Sequence, residues 1–592
     1  MLANATIPNR DLLDLAQRLQ GLPPGQEELS PFASPSSPYE LGDSEVFWVH
    51  NVNTNSYYTA TAILRYETPH AYWWIEGGYE ILDTDLEASA RNFEIRIYPT
   101  NRRLFGSEWN PGVDGDPHVY IFLGDIPGVG GYFSGPDEYP VQVRPKSNEH
   151  EMFYINLENA QPGSDYFDGI LAHEFQHMIH WATDQDEDSW VSEGLSELAA
   201  WVNGLDVGGS DLAFSMKPDT QLTTWPELED SGPHYGASYL FMSYFLEQYG
   251  EEAIRQLVAE PRNGIAGFNA LLAEVDPEQR RFDDLFANWV VANYVDEEGL
   301  ASVHLGYGEL QVKQPRHAAK QTSYPVRQEA TVHQYAADYI LLEGMGDVTV
   351  EFTGSLIVSL VGNETHSGDY QWWSNRGDES DATLTRAFDL TGLEQATLEA
   401  WMWYDLETDY DYAYVEASTD GGETWEILTS EHTTTTNPSG NSYGPAFTGL
   451  SGGGEKAQWI QELFDLTPYT GQPVLLRFEV ITDEAINHPG LCLDDLSIPE
   501  LGYTDDMEGG DAGWQAQGWV RVSDHVPQNF MVQLITLGPE IGIEQMALDE
   551  GMHGTITVAG LGQEVTRAVL VVSAVTPVTT EWASYVYHIT QN

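Results

Sequence analysis

The residues with the plainest chemistry are His173, Glu174 and His177, in the run Leu171-Ala172-His173-Glu174-Phe175-Gln176-His177-Met178-Ile179-His180-Trp181. Side chains four apart lie on nearly one face of an α-helix, so His173 and His177 can aim two imidazoles at one point. Glu174 follows about 100° further round, where its carboxylate can reach a water on a metal held by the histidines. His-Glu-x-x-His on a helix is the arrangement of a zinc peptidase, with two His ligands and a Glu general base. A bare match also fits a helix with two solvated or core-satisfied histidines, so a third ligand decides.

That ligand must come from a neighbouring element. Residues 164–182 read as one helix, with Ser164 or Asp165 as N-cap and Ile170, Leu171, Phe175, Met178 and Ile179 as its apolar face. After the acidic loop Asp184-Gln185-Asp186-Glu187-Asp188, a second helix runs from Ser189 to about Gly204. Glu193 and Glu197 lie one turn apart on one face, while Val191, Leu195, Leu198 and Val202 supply its packing side. Packed against the first helix, this one presents Glu193 as the third ligand. Glu197 can then accept the second N–H of His173 and fix its tautomer. His180 competes, being seven after His173. A ligand reaching back in that way needs a Gly turn, and Met178-Ile179-His180-Trp181 has none. A packing or hydrogen-bonding role is expected for His180.

Composition bounds the setting. Of 592 residues, 24 are Lys or Arg and 93 are Asp or Glu, a net charge of −69. Such a field repels nucleic acid and anionic membrane. It suits an acidic surface adapted to high salt or low pH, or a set of calcium sites. Asp114 and Asp116, in the loop Pro111 to Pro117, are one candidate pair for a hard cation, with a solvated turn the preferred reading. Cys492 is the single cysteine, so no intrachain disulfide forms. No segment approaches the ~20 apolar residues of a membrane helix. Met1 to Pro8 lacks a basic region followed by an apolar run, so a leader is expected to lie outside this sequence.

Alternating apolar runs predict strands at 46–49, 58–64, 71–75, 119–123 and 152–156, and further helices at 234–250, 251–260, 268–275 and 282–294. The expected organisation is an N-terminal segment over 1–43 (propeptide remnant or linker), a metallopeptidase domain over 44–312 and a basic, Pro-containing linker over 313–334. All-β modules follow: a split β-sandwich of 335–366 plus 540–592, and a jelly roll over 367–539.

His173-Glu174-x-x-His177, followed by Trp190-Val191-Ser192-Glu193-Gly194-Leu195-Ser196, resembles the gluzincin peptidases, and in fuller context the hyicolysin family. The resemblance covers roughly 45–310 and implies an α+β zincin fold, Zn²⁺ on His173, His177 and Glu193, and Glu174 as the base acting on a metal-activated water. It also implies an oxyanion donor from a downstream helix, for which Tyr235 and His234 are candidates. The Gly-x-Met-Glu-Asn amine site of the family's aminopeptidases is absent, which favours an endopeptidase. Tyr412 to Trp425 and Gly490 to Leu496 resemble the jelly-roll module of immune inhibitor A-like secreted metallopeptidases. That likeness implies extracellular work on protein or peptide substrates, with a glycan or cell-surface ligand open for the module. Asp409, Asp411, Asp494 and Asp495 could hold Ca²⁺ there. The alternatives are a zinc aminopeptidase, or an adhesion or glycan-binding protein with a relic peptidase domain.

Overall fold

The computed structural model describes residues 2, 5–22, 39–205, 208–297 and 305–592. The Pro/Ser-rich run within 30–38 lies outside them.

The N-terminal half is a mixed sheet with helices on one face. Its strands are β1 (Ser44–Asn51), β2 (Ser56–Glu67), β3 (Ala71–Glu76), β4 (Val119–Gly124), β5 (Gly131–Phe133) and β6 (Met152–Asn156), in the order β1-β2-β3-β4-β6-β5. β3, β4 and β6 are parallel neighbours, and β5 runs antiparallel to β6 at the edge. The continuous apolar runs of β3 and β4 make sense because both faces are covered. Ala71, Trp73, Ile75, Val119, Ile121, Leu123, Phe153 and Ile155 point into the core shared with the helices. Their alternates Tyr72, Trp74, Tyr120, Phe122, Met152 and Tyr154 fill a second core with β1 and β2, as the two-residue period of a strand requires.

The helices are α1 (Leu12–Gln20), α2 (Asp83–Asn92), α3 (Tyr98–Leu104), α4 (Asp165–Trp181), α5 (Ser189–Val202), α6 (Ser210–Met216), α7 (Gly232–Val258), α8 (Gly264–Val275) and α9 (Phe282–Val295). Ser164 caps α4, accepting from the Phe167 N–H. α7 spans both helices expected at 234–260, with a kink at Gly250, whose φ is 78°. Trp190 anchors α5 by packing on Phe241, Phe268 and Phe282.

The C-terminal half is all-β. A four-stranded sheet (Val326–Val332, Gly346–Gly354, His553–Leu561, Ala583–Gln591) and a five-stranded sheet (Ala319–Gln321, Asp338–Leu342, Phe530–Leu537, Gly542–Gln545, Arg567–Ala574) enclose one core. Between their halves in sequence lies a second two-sheet unit enclosing Leu384, Met402, Val415, Phe478 and Leu493. Two boundaries differ in the structure. Residues 319–332 are not linker: two strands of the first sandwich lie there, their charges standing on an exposed face, where Arg327 pairs with Glu329. Phe530–Leu537 belongs to that sandwich as well, not to the jelly roll, because it pairs along its length with Arg567–Ala574. Within the N-terminal segment, α1 packs against the rest of the chain. Leu12, Leu13, Leu15 and Ala16 are buried with Tyr139, Val143, Tyr412, Tyr414 and Ile481, and Arg18 bonds Glu479 and Asp381.

Candidate metal centre

α4 turns its apolar face to the core and its motif residues to a cleft. Phe167, Leu171, Phe175, Met178 and Ile179 are inaccessible. Asn101, on α3, donates to the Ala172 carbonyl at 2.8 Å and fixes the helix from below. α5 lies alongside, and the Ser196 hydroxyl donates to Gln176 in the contact.

This packing brings the expected ligands together. The Nε2 atoms of His173 and His177 are 3.1 Å apart, and Glu193 Oε2 lies 3.2 Å from the first and 3.4 Å from the second. One donor atom from each falls within 4.8 Å of the others. Glu193 Oε2 is buried with no hydrogen-bond donor, which is unusual for a buried carboxylate oxygen. Two imidazole nitrogens and one carboxylate oxygen are the donors of a catalytic zinc site, so these residues fit a Zn²⁺ ion. Burial alone would raise the Glu193 carboxyl, but His177 and His173 outweigh it and hold it well below the usual range.

The other nitrogens are engaged in turn. His173 Nδ1 lies 3.5 Å from Glu197 Oε1, and His177 Nδ1 lies 3.1 Å from Ser192 Oγ. Glu197 thus lies on the Nδ1 side of the His173 ring, one turn beyond Glu193.

Glu174 sits under the edge strand β5. A Cβ on Gly131 would lie 3.0 Å from its Oε1. Burial pushes its carboxyl above the ordinary range, against the pull of His173, His177 and the Phe133 N–H. Tyr235, in the first turn of α7, places its hydroxyl 3.4 Å from Glu193 Oε1. Burial, reinforced by Glu193, raises that phenol well above its ordinary value, so it stays protonated. His234 is not brought to the site: its Nδ1 faces the Thr224 carbonyl at 3.1 Å, beside Trp225. Neighbours on a helix point about 100° apart, and here that rotation turns His234 toward Trp225 while Tyr235 faces Glu193.

The cleft, about 280 Å³, runs from β5 past the ligands to a wall the sequence did not foretell. Glu379, Glu484 and Ala485, from loops of the second two-sheet unit, line it. Ser189, at the start of α5, ties these modules together by donating its N–H to Asp378 at 2.9 Å. No local pattern announces such a wall. Also missed was the environment of His180, which is buried among Asp184 and Glu187 and faces the same cleft.

The cation candidates fare differently. Asp114 accepts from Tyr120 and faces His150, and Asp116 accepts from Tyr72 and faces His118, so protein groups occupy both carboxylates. Asp411 groups with Glu407 and Asp483. Asp494 and Asp495 have other partners: both accept from Ser367, and Asp495 faces His366. Asp409 is held by its backbone, where its N–H donates to Thr448 and its carbonyl accepts from Ser439.

Comparison with known proteins is informative for the β-half. The model of the immune inhibitor A-like MAM domain matches residues 355–524, which encloses both stretches that resembled that module. A pre-pro-metalloprotease, PrtV, of Vibrio cholerae is 33% identical over 131 residues, 22% of this chain and 13% of that protein. Immune inhibitor A of Bacillus thuringiensis subsp. alesti is 32% identical over 146 residues, 24% of this chain and 19% of that one. Bacillopeptidase F of Bacillus subtilis is 28% identical over 98 residues, 17% of this chain and 5% of that one. The matches therefore span less than a fifth of each relative's length. They support a metallopeptidase-related protein with an all-β C-terminal region. Among the described residues, no helix is long and apolar enough to cross a membrane.

Proposed function

We propose that this chain is a secreted zinc-dependent endopeptidase of the gluzincin type, related to the hyicolysin family, that hydrolyses proteins or peptides. The observation that carries the reading is the convergence of His173, His177 and Glu193, with Glu174 beside them under an open sheet edge. His173, His177 and Glu193 would hold Zn²⁺, which when bound supplies a Lewis acid that polarises a carbonyl and acidifies water.

The chain's own groups do the rest. β5 pairs with β6 on one side only, so its outward backbone groups, apart from the Phe133 N–H that Glu174 engages, can take an extended peptide as an added strand. That lays a peptide along the cleft without demanding a free terminus. Glu174 takes a proton from the attacking water and returns it to the leaving amine. Its burial favours that proton and suits it to both steps. The protonated Tyr235 hydroxyl donates to the oxyanion as it develops. Extracellular work is a reading that rests on the MAM-type module and on the likeness to a relative named a pre-pro-metalloprotease. The buried carboxylates of Glu407, Asp411 and Asp483 supply the oxygen donors that calcium takes.

The test is zinc content with casein hydrolysis. Glu174→Gln should keep zinc and lose activity by orders of magnitude, and Glu193→Ala should lose zinc. Full activity in Glu174→Gln would sink the mechanism. Cleavage of unblocked peptides alone would favour the aminopeptidase.

A further inference from the structure

The segment between α4 and α5 carries a second cluster of metal-binding groups. His180 lies on the last turn of α4, and the chain then curls so that the Thr183 and Asp184 N–H groups both donate to the His180 carbonyl, each at 2.8 Å. That curl brings a carboxylate oxygen of Asp184 near a ring nitrogen of His180. Glu187 arrives from the start of α5. Its Oε1 accepts from the N–H groups of Asp188 and Gly264, both at 2.7 Å. This fixes the carboxylate and leaves Oε2 to face inward. One donor atom each from His180, Asp184 and Glu187 lies within 4.8 Å of the others.

What sets this cluster apart from a solvated acidic loop is its unmet bonding. His180 is 2% exposed, yet neither ring nitrogen has a hydrogen-bond partner. Asp184 Oδ2 and Glu187 Oε2 are also buried and unpartnered. Buried polar atoms are nearly always paired, and two carboxylates side by side repel unless a cation or proton lies between them. Three side chains that each bring a donor atom to one place, and that carry buried polar atoms without partners, are what a bound cation would satisfy.

We propose that His180, Asp184 and Glu187 form a second divalent-metal site, of the class that takes Zn²⁺ or Mn²⁺, in the wall of the same cleft. The donor set selects the class. Calcium and magnesium prefer oxygen alone, and soft metals prefer sulfur, whereas one imidazole with two carboxylates suits borderline ions. Three protein donors leave at least one coordination position open toward the cleft. The site shares no residue with His173, His177 and Glu193, so it does not depend on the peptidase reading. From this position a bound ion pins the connection between the helix that carries the two histidines and the helix that carries Glu193.

The experiment uses the full chain, stripped with a chelator, dialysed against Zn²⁺ or, separately, Mn²⁺, and assayed for bound metal by mass spectrometry. Asp184→Asn and Glu187→Gln should each bind one equivalent of Zn²⁺ fewer than the wild type and still bind the equivalent that Glu193→Gln loses. Both variants keep side-chain volume. His180→Gln should agree, but the other two carry the test if it folds poorly. Unchanged stoichiometry in both carboxylate variants overturns the proposal, and so does a wild type that binds no more than the single equivalent removed by Glu193→Gln. Zn²⁺ should also raise the unfolding midpoint of the Glu193→Gln protein and not that of the Glu193→Gln, Asp184→Asn double variant. Loss of peptidase activity is read separately, from Glu174→Gln.

Discussion

Glu197 Oε1 lies 3.5 Å from Nδ1 of His173, while Nε2 of the same ring faces Glu193 Oε2 at 3.2 Å. The imidazole is held from both ends by two carboxylates one turn apart on α5. Ser210 donates to Glu197 Oε2 at 3.1 Å and steadies that carboxylate. A ligand histidine so oriented loses about 10–100-fold in metal affinity when its outer partner is removed. Glu197→Ala should weaken Zn²⁺ by about that factor in a chelator competition, and Glu197→Gln, whose amide oxygen can still accept, by less. Equal affinity in wild type and Glu197→Ala would show that the outer carboxylate does not hold the ring.

Gly194 follows Glu193, the proposed third ligand, and lies close against α7. A Cβ there would lie 2.8 Å from both Met242 Cγ and the Ser238 carbonyl oxygen. The methionine can swing away, but the helix backbone cannot. Gly194→Ala should therefore push α5 outward and carry Glu193 with it. Overpacking of this kind typically costs about 1–3 kcal/mol. The expected result is a lower unfolding midpoint together with weaker zinc binding, checked by calorimetry and metal competition. A lower midpoint with zinc affinity intact would separate the packing contact from the ligand.

Much of this site was legible because it is local. His173, Glu174 and His177 share one helix, and Glu193 and Glu197 share the next. The 3.6-residue period places each set without knowledge of the fold. Tyr235 was legible only as one of two neighbours, and the helix phase that chose it over His234 depends on how α7 docks. The β-half was readable as strands, but not as partnerships. Phe530–Leu537 looks like any apolar strand, and only its ladder to Arg567–Ala574 assigns it, since pairing is set by distant residues. The wall formed by Glu379 and Glu484 has no local signal, because it arises where two modules meet.

Gly131 lets β5 lie close over Glu174, the proposed general base. A Cβ at this position would come within 2.7 Å of the Tyr154 carbonyl, 2.8 Å of Ile170 Cγ2 and 3.0 Å of Glu174 Oε1. Gly131→Ala must lift the edge strand or turn Glu174 aside. None of the three proposed zinc ligands is among these contacts. The variant should keep its zinc and lose kcat by roughly tenfold or more, as small misplacements of a catalytic group do. Loss of zinc with the activity would instead point to disruption of α4.

The lead-in segment reaches the cleft wall through Arg10. Its guanidinium bonds Glu379 in bidentate fashion, at 2.8 and 2.6 Å, with both side chains buried. Removing one member of a buried pair strands the other charge and typically costs about 3–5 kcal/mol. Arg10→Met should lower the unfolding midpoint, and Arg10→Met with Glu379→Gln should recover most of the loss. A double variant no better than the single one would mean that the pair is not what holds the segment to the jelly roll.

Glu138 and Glu151 form a buried carboxyl pair remote from the metal ligands. Burial pushes both up, Glu151 to about 7 and Glu138 well above its ordinary value, where Glu151 adds to the rise. In the unfolded chain both would titrate near 4.3. The folded protein therefore binds more protons than the unfolded chain above that pH, and the pair's contribution to stability declines as pH rises. It is fully present below about pH 4, falls through the window up to about 7 as Glu151 ionises, and continues to fall while Glu138 does. Glu151→Gln keeps an oxygen to accept the Val113 N–H, which now donates to Glu151 Oε1 at 3.0 Å. It also offers an amide N–H to Glu138. The variant should melt higher than the wild type at pH 8 and no higher at pH 4. A midpoint difference that does not change between those pH values would show that the two carboxyls do not share a proton in the folded protein.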